Sequence, residues 1–335
     1  MPGVLRVKGT IDLAQFWPDG ESDADTTKIK VKVGANSFSF AADGKTFKTT
    51  KAYFGAVVRG TSSDPVIDKQ GRITVRLQGI DAPELHYRAG ALKQSSGVSK
   101  AKRKKFNELN KTERRQYWAE TATVALCKKL KTFGNGTVKC EMRSLVDRPA
   151  EVIDTYGRFV GNIYVGAGLK TDVNVWLATE GWVYPTYYSS MTNEEIDVLN
   201  TATTKGKAKK RTWKNYSKAV NKFDKKLVYR KHGPIDAAND KGPVLMPKVY
   251  RRQVSYQMQK GAGITVGNFA QFLSKSPDRC FLTKEFVEQS IHTAEPRALH
   301  DFIKGNKFTL EPQELVFKEK FSDLRKESGA KITKF

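Results

Sequence analysis

The chain opens on a period of two: Leu5, Val7, Gly9, Ile11 and Leu13 fall on one face, Arg6, Lys8, Thr10 and Asp12 on the other. That alternation predicts a half-buried β-strand. The segment QFWPDGESDAD breaks it with proline, glycine and acids, as a loop does. TKIKVKV resumes the pattern, with Ile29, Val31 and Val33 opposite Lys28, Lys30 and Lys32. RITVRLQGI is a third strand, with Ile73, Val75 and Leu77 opposite Thr74, Arg76 and Gln78. Between the second and third, residues 35–70 are rich in glycine and threonine and carry the turn signal ADGK, predicting an inserted hairpin or long loop.

Downstream, KQSSGVSKAKRKKFNELNKTERRQ is basic and poor in apolar residues. It predicts a flexible loop leading into a helix, with Asn110 and Glu113 as an N-cap pair. Trp118, Ala122, Ala125, Leu126, Leu130 and Phe133 recur at helical spacing until GNG stops the run. Trp118, Phe133 and the later Trp176 are therefore expected in the core. Two more strands (TVKCEMR and RFVGNIYV), a short helix through VNVWLATEG and an exposed aromatic turn, VYPTYY, follow. Thr192 and Glu195 open a last helix as a capping box. Five strands and three helices in this order fit an α+β fold, an OB-type five-stranded β-barrel carrying helices, over residues 1–217 with insertions at about 35–70 and 86–115. A basic linker, 218–227, leads to residues 228–335, where TVGNFAQFL, RCFLTKEFV and LVFKEKF predict a smaller C-terminal α+β domain or extension.

Composition narrows the partners. With 39% apolar residues among 335, the chain can build real cores, and its net charge of +24 points to a polyanion. No apolar run is long enough to span a bilayer, and MPGVLRVKGT lacks the apolar core of a signal peptide, so the chain as given reads as cytoplasmic with no membrane partner. Cys127, Cys140 and Cys280 are odd in number and form no CxxC, which argues against structural zinc and a disulfide framework and for buried thiols. His86 has no neighbouring histidine pair and reads as an exposed loop residue.

Three short stretches carry candidate chemistry: DADTTK with Asp23 and Asp25, VRLQGIDAPE with Arg76, Asp81 and Glu84, and DTYGR with Asp154, Tyr156 and Arg158. Each falls at a strand end or turn. Paired carboxylates can hold a hard cation, which wants oxygen ligands. Arginine forks match phosphate oxygens bidentately and stay charged at any working pH. A remaining glutamate can orient or deprotonate a water. Taken alone, Arg76 reads as an outward strand residue paired with Glu84. The recurrence of Asp25 and Arg158 in matching places favours phosphodiester hydrolysis. Asp154 and Gly157 read as turn residues, and Asp23 as a loop acid or a support for Asp25.

These stretches, in this order, resemble the staphylococcal (micrococcal) nuclease, or thermonuclease-like, family: D-x-D-T, then R-L-x-x-(I/V)-D-(A/T)-P-E, then D-x-Y-G-R. DVNVWLATEGWVYP and GKAKKRTW resemble two of its helices, so the likeness covers about residues 4–34, 72–85 and 116–214. The resemblance implies calcium held by the side chains of Asp25 and Asp81 and by the backbone carbonyl of Ala82. It implies Arg76 and Arg158 on the phosphate, Arg158 also aiding departure of the 5′-oxygen, and Glu84 acting on water. With a pKa of about 4.3 as a free group, Glu84 is a weak base, so positioning and proton abstraction both stay open. Thr155 stands where the family has a nucleotide-binding lysine, and Tyr187 matches one of two base-contacting tyrosines. Tyr156 and Tyr187 are the candidate substrate contacts, and in the turn that holds Tyr184, Tyr187 and Tyr188 stacking on a base is the chemistry available.

The activity so implied is a calcium-dependent, sugar-nonspecific endonuclease that cuts DNA and RNA to 3′-phosphate products. A noncatalytic nucleic-acid-binding or scaffold module on the same barrel is the alternative. Such relatives typically lose the acids or arginines, all five of which are kept here. Residues 228–335 would add nonspecific affinity or dock a protein partner.

Overall fold

The alternating segments become the strands of a closed barrel. It is built from β1 (Gly3–Asp12), β2 (Thr26–Val31), β3 (Arg72–Leu77), β4 (Thr137–Val146) and β5 (Phe159–Val165). The computed structural model describes residues 2–31, 37–42, 46–60, 64–232, 239–289 and 294–335; Lys32, Val33 and the tip of the ADGK turn lie outside them. β1 pairs antiparallel with β2 (Gly9 opposite Val31), β2 with β3 (Thr26 opposite Arg76), and β3 runs parallel to β5 (Val75 opposite Phe159). β5 pairs with β4 (Cys140 opposite Val165), and β4 returns to β1 along its whole length, from Gly3–Val146 to Asp12–Thr137, closing the cylinder. Leu5, Val7, Ile11, Ile29, Ile73, Val75, Phe159 and Ile163 point inward and are buried, while their polar neighbours face out. That is the arrangement a period-two pattern requires. Closure needs close backbone approach: a Cβ at Gly9 would meet the carbonyl oxygen of Lys30 at 2.5 Å.

The chain forms two compact units that are interleaved along the sequence. One comprises Met1–Ile80, Thr123–Ala178 and Glu319–Phe335, the other Asp81–Ala122 and Thr179–Lys318. The last residues, Glu319–Phe335, thus group with the barrel strands. In the first unit, the insertion does form a hairpin: Phe38–Ala41 pairs with β1 and with Lys48–Thr49. A further insertion strand, Ala56–Val58, pairs with Leu324–Lys326 near the C-terminus. Leu324 is buried, Lys326 Nζ donates to the carbonyls of Ala52 (3.2 Å) and Phe54 (3.0 Å), and Phe335 stacks on Phe40 at 3.9 Å. Helix α2 (Ala119–Lys131) buries Leu126 and Leu130 as its spacing predicted. Phe133 and Trp176 depart from expectation: both are half-buried, with Lys129 over their rings.

In the second unit, the middle of the basic stretch is a helix. Ser99 caps a helix, α1 (Lys100–Leu109), whose Phe106 is buried against the unit's core. Asn110 ends this helix instead of starting one, and its side chain bonds the backbone of Ala89 in both directions. One buried aromatic suffices to order a segment whose other positions are charged. The short helix α3 (Val173–Thr179) of the first unit and α4 (Asn193–Ala208) of the second lie where predicted, and α4 carries the reciprocal Thr192–Glu195 capping bonds (3.2 and 2.9 Å). Residues beyond 228 supply helix α5 (Pro247–Gly261) and two strands, Arg279–Leu282 and Leu315–Phe317, that join Tyr187–Tyr188 in one sheet. No helix among the described residues is long and apolar enough to cross a membrane.

Candidate functional site

In the first unit, strand register brings two predicted residues together. Thr26 lies opposite Arg76, so the residue before it, Asp25, meets the Arg76 guanidinium in an ion pair. Thr26 Oγ1 donates to the same carboxylate (3.1 Å), and Arg76 also donates to the Ile80 carbonyl (3.3 Å). Asp23 holds this corner: its Oδ1 accepts the backbone N–H groups of Asp25 (3.1 Å) and Thr26 (2.7 Å). It is thus a turn-forming acid that fixes where Asp25 stands.

Arg158 is held by its own turn. Asp154 Oδ1 accepts the backbone N–H of Tyr156 and of Arg158, each at 2.9 Å, and Oδ2 accepts Arg158 Nε at 2.7 Å. Gly157, at φ +82°, supplies the left-handed step that closes this loop. The arrangement leaves the far end of the guanidinium directed away from its clamp, with Tyr156 72% exposed and its ring 5.5 Å from Arg158 Cζ. A cleft of about 270 Å³ opens here, lined among others by Lys28, Thr74, Tyr156 and Arg158. Arg72 lines it too, and repeats the same device: Asp68 accepts the backbone N–H of Gln70 and Arg72 and, at 2.7 Å, Arg72 Nε, with Gly71 at φ +71°. Sequence reasoning missed Arg72. The signal was present, since DKQGR at 68–72 and DTYGR at 154–158 share one D-x-x-G-R pattern before a barrel strand.

In the second unit, Asp81 is fully buried and Ala82 and Glu84 follow on the same turn. Gln116 pins that turn: Glu84 N–H donates to its Oε1 (2.9 Å), its own N–H donates to the Glu84 carbonyl (2.7 Å), and its Nε2 reaches the Leu245 carbonyl (2.9 Å). The cation facing these acids is one that no motif flagged. Arg251 on α5 donates to Asp81 Oδ1 (3.2 Å) and Oδ2 (3.0 Å) and to Glu84 Oε1. The two carboxylates hold its guanidinium far on the charged side, against the burial that opposes it. Nothing in the amphipathic helix around YRRQ distinguishes Arg251 from a solvated basic residue.

Tyr187 is corrected from the expected exposed turn. It is completely buried in the strand that pairs with Leu315–Phe317, and burial pushes its phenol well up from the ordinary range. A ring with both faces covered by protein has none to offer a base. Tyr184 is buried as well, its hydroxyl donating to the Thr212 carbonyl (2.9 Å). His86 packs its ring 5.4 Å from that of Tyr229.

The donors implied for calcium divide between the units, Asp25 in one and Asp81 with Ala82 in the other. They do not fit a divalent ion as they stand, because Asp25 is paired with Arg76 and Asp81 accepts two bonds from Arg251. Among the described residues, no group of three or more His, Cys, Asp or Glu is disposed to hold a metal ion.

No curated protein matches the chain. Residues 74–215 match the family profile described as staphylococcal nuclease homologue, a segment that runs through Arg76, Asp81, Glu84 and Arg158.

Proposed function

We propose that this domain binds single-stranded and duplex nucleic acid and hydrolyses its phosphodiester bonds to 3′-phosphate products. The observation that carries the reading is the clamp of Asp154 on Arg158 beside exposed Tyr156, in a cleft shared with Lys28 and Arg72. A guanidinium with Nε committed to a carboxylate keeps its remaining N–H groups in a fixed plane, which suits phosphate oxygens. Tyr156 supplies a face on which a base stacks without regard to sequence or sugar. In this reading Arg76 and Arg158 hold the phosphate and stabilise the charge that builds on its oxygens. Glu84, its backbone fixed by Gln116, orients the attacking water. The new P–O bond forms as the bond to the 5′-oxygen breaks, and that oxygen leaves with a proton while the phosphate stays on the 3′ side. A divalent ion, where bound, would supply Lewis acidity. The acids that would hold it, Asp25 and Asp81, are paired with arginines here.

A noncatalytic nucleic-acid-binding module is the second reading, favoured by one observation, the engagement of Asp81 and Glu84 by Arg251. The test is incubation with single-stranded and duplex DNA and with RNA, in calcium and in EGTA, beside Glu84→Gln and Arg158→Ala. Cutting that yields 3′-phosphate ends and is lost in both variants supports the enzyme. Tight binding without cutting under any divalent ion supports the module.

A further inference from the structure

We propose that Arg251 is the resident cation of the Asp81–Glu84 pair, a guanidinium built into the fold where the family resemblance assigns Asp81 to calcium and Glu84 to water. This rests on the proposed function only for the meaning of those carboxylates. The contacts themselves lie within the second unit.

The geometry is that of a site filled by design of the helix. Both oxygens of Asp81 accept from Arg251, at 3.0 and 3.2 Å, while a further N–H goes to Glu84. A planar fork on a carboxylate is the strongest pairing a side chain can make with one. Asp81 is fully buried, whereas the Arg251 side chain keeps 26% exposure and that of Glu84 15%, so the pair is closed to solvent at Asp81. A buried carboxylate stripped of its partner is strongly unfavourable, so the arginine leaves only for a better cation.

Helix α5 cannot easily retreat to admit one. On either side of Arg251, Tyr250 donates its hydroxyl to the Arg115 carbonyl (3.1 Å), Arg252 forks onto Asp278 (2.8 and 2.9 Å) and Gln253 donates to the Val220 carbonyl (2.6 Å). Val249, Tyr250 and Val254 are buried in the core of the unit. Admitting another cation therefore requires the Arg251 side chain, rather than the helix, to move.

The exchange of a divalent ion for a guanidinium changes what the pair can do. A guanidinium has no coordination position for water and cannot acidify one, but its N–H groups can meet a phosphate oxygen. Asp81 thereby serves to fix Arg251 in place of a divalent ion.

The experiment uses the full chain and calcium chloride alone. Calcium is titrated calorimetrically into wild type, Asp81→Asn, Arg251→Ala, Arg251→Lys and the Arg251→Ala/Asp81→Asn double variant, and thermal unfolding is followed in calcium and in EGTA. Wild type should show no calcium heat that depends on Asp81 and the same midpoint in both buffers. Arg251→Ala should unfold earlier in EGTA, recover in calcium by mass action, and lose that recovery in the double variant. Arg251→Lys, which keeps the charge, should resemble wild type in calcium insensitivity. Asp81-dependent calcium binding by wild type overturns the proposal, as does an Arg251→Ala protein that folds and gains none. Should Arg251→Ala fail to fold, wild type against Asp81→Asn decides alone. No substrate is present, so loss of the nuclease reading leaves these readouts untouched.

Discussion

Replacing Asp154 by asparagine separates a positioning role from a merely electrostatic one. Asp154 bears a negative charge beside the cleft proposed to hold a polyanion, so its removal by itself favours binding. At a separation of about 5 Å in water that gain is at most about 0.8 kcal/mol, a factor of about four, and salt reduces it. Against this stands the lost clamp. Asp154 Oδ2 accepts Arg158 Nε at 2.7 Å, and a charge-assisted bond of this kind contributes about 1.5–3 kcal/mol. The Arg158 side chain is 31% exposed and Asp154 15%, which brings the net value to about 1 kcal/mol once solvent screening is counted. An amide set with its NH2 toward Arg158 Nε would add a donor–donor clash. Arg158 should then lose its fixed plane while keeping its charge.

Asp154→Asn is thus expected to bind a fluorescent single strand about as well as wild type at low salt and several-fold more weakly at about 0.15 M, where the Coulombic gain is screened. The slope of log affinity against log salt should stay close to that of wild type, since no cation is lost. Arg158→Ala, by contrast, should lower that slope by about 0.7 on a single strand, one phosphate's worth. Anisotropy titrations at four salt concentrations measure both. Equal or tighter binding by Asp154→Asn at physiological salt would show that the carboxylate only repels substrate, and the clamp argument would fail.

Tyr156→Ala should weaken binding by about 1–3 kcal/mol, the contribution of one stacked base, whereas Tyr187→Phe, buried in a strand, should leave affinity unchanged; the same titration reads both. Removing residues 319–335 takes away buried Leu324 and Ile332 and should cost at least about 3 kcal/mol, seen as a lower unfolding midpoint. Thiol labelling should be confined to Cys127 in the folded protein: burial pushes the Cys140 and Cys280 thiols up to about 12, leaving about one part in ten thousand as thiolate at pH 8. A raised pKa means the proton is held longer, so labelling of those two should climb with pH toward 12 or appear on unfolding; rapid labelling at pH 8 would refute their burial.

Much of this protein was legible in its sequence because the information is local. A period of two places Leu5, Val7, Ile29 and Ile73 inside a sheet wherever that sheet closes, and the Thr192–Glu195 capping box depends on four consecutive residues. The D-x-x-G-R turn is local as well, since an aspartate, a left-handed glycine and an arginine four residues on close the clamp by themselves. Residues whose state depends on distant partners were not readable. Tyr187 sits in an aromatic, turn-like segment, and it is buried in a strand that pairs with Leu315–Phe317, over a hundred residues away. Leu324–Lys326 belongs to the barrel unit through a pairing with Ala56–Val58 that no spacing announces. Arg251 is the clearest case. In sequence it is one more charge in a chain of net charge +24, and it becomes the partner of Asp81 and Glu84 only because helix α5 is fixed by its buried face. Sequence determined which residues could carry charge and hydrogen bonds, and tertiary structure decided which charges meet, because ion pairing depends on distance in space and not along the chain.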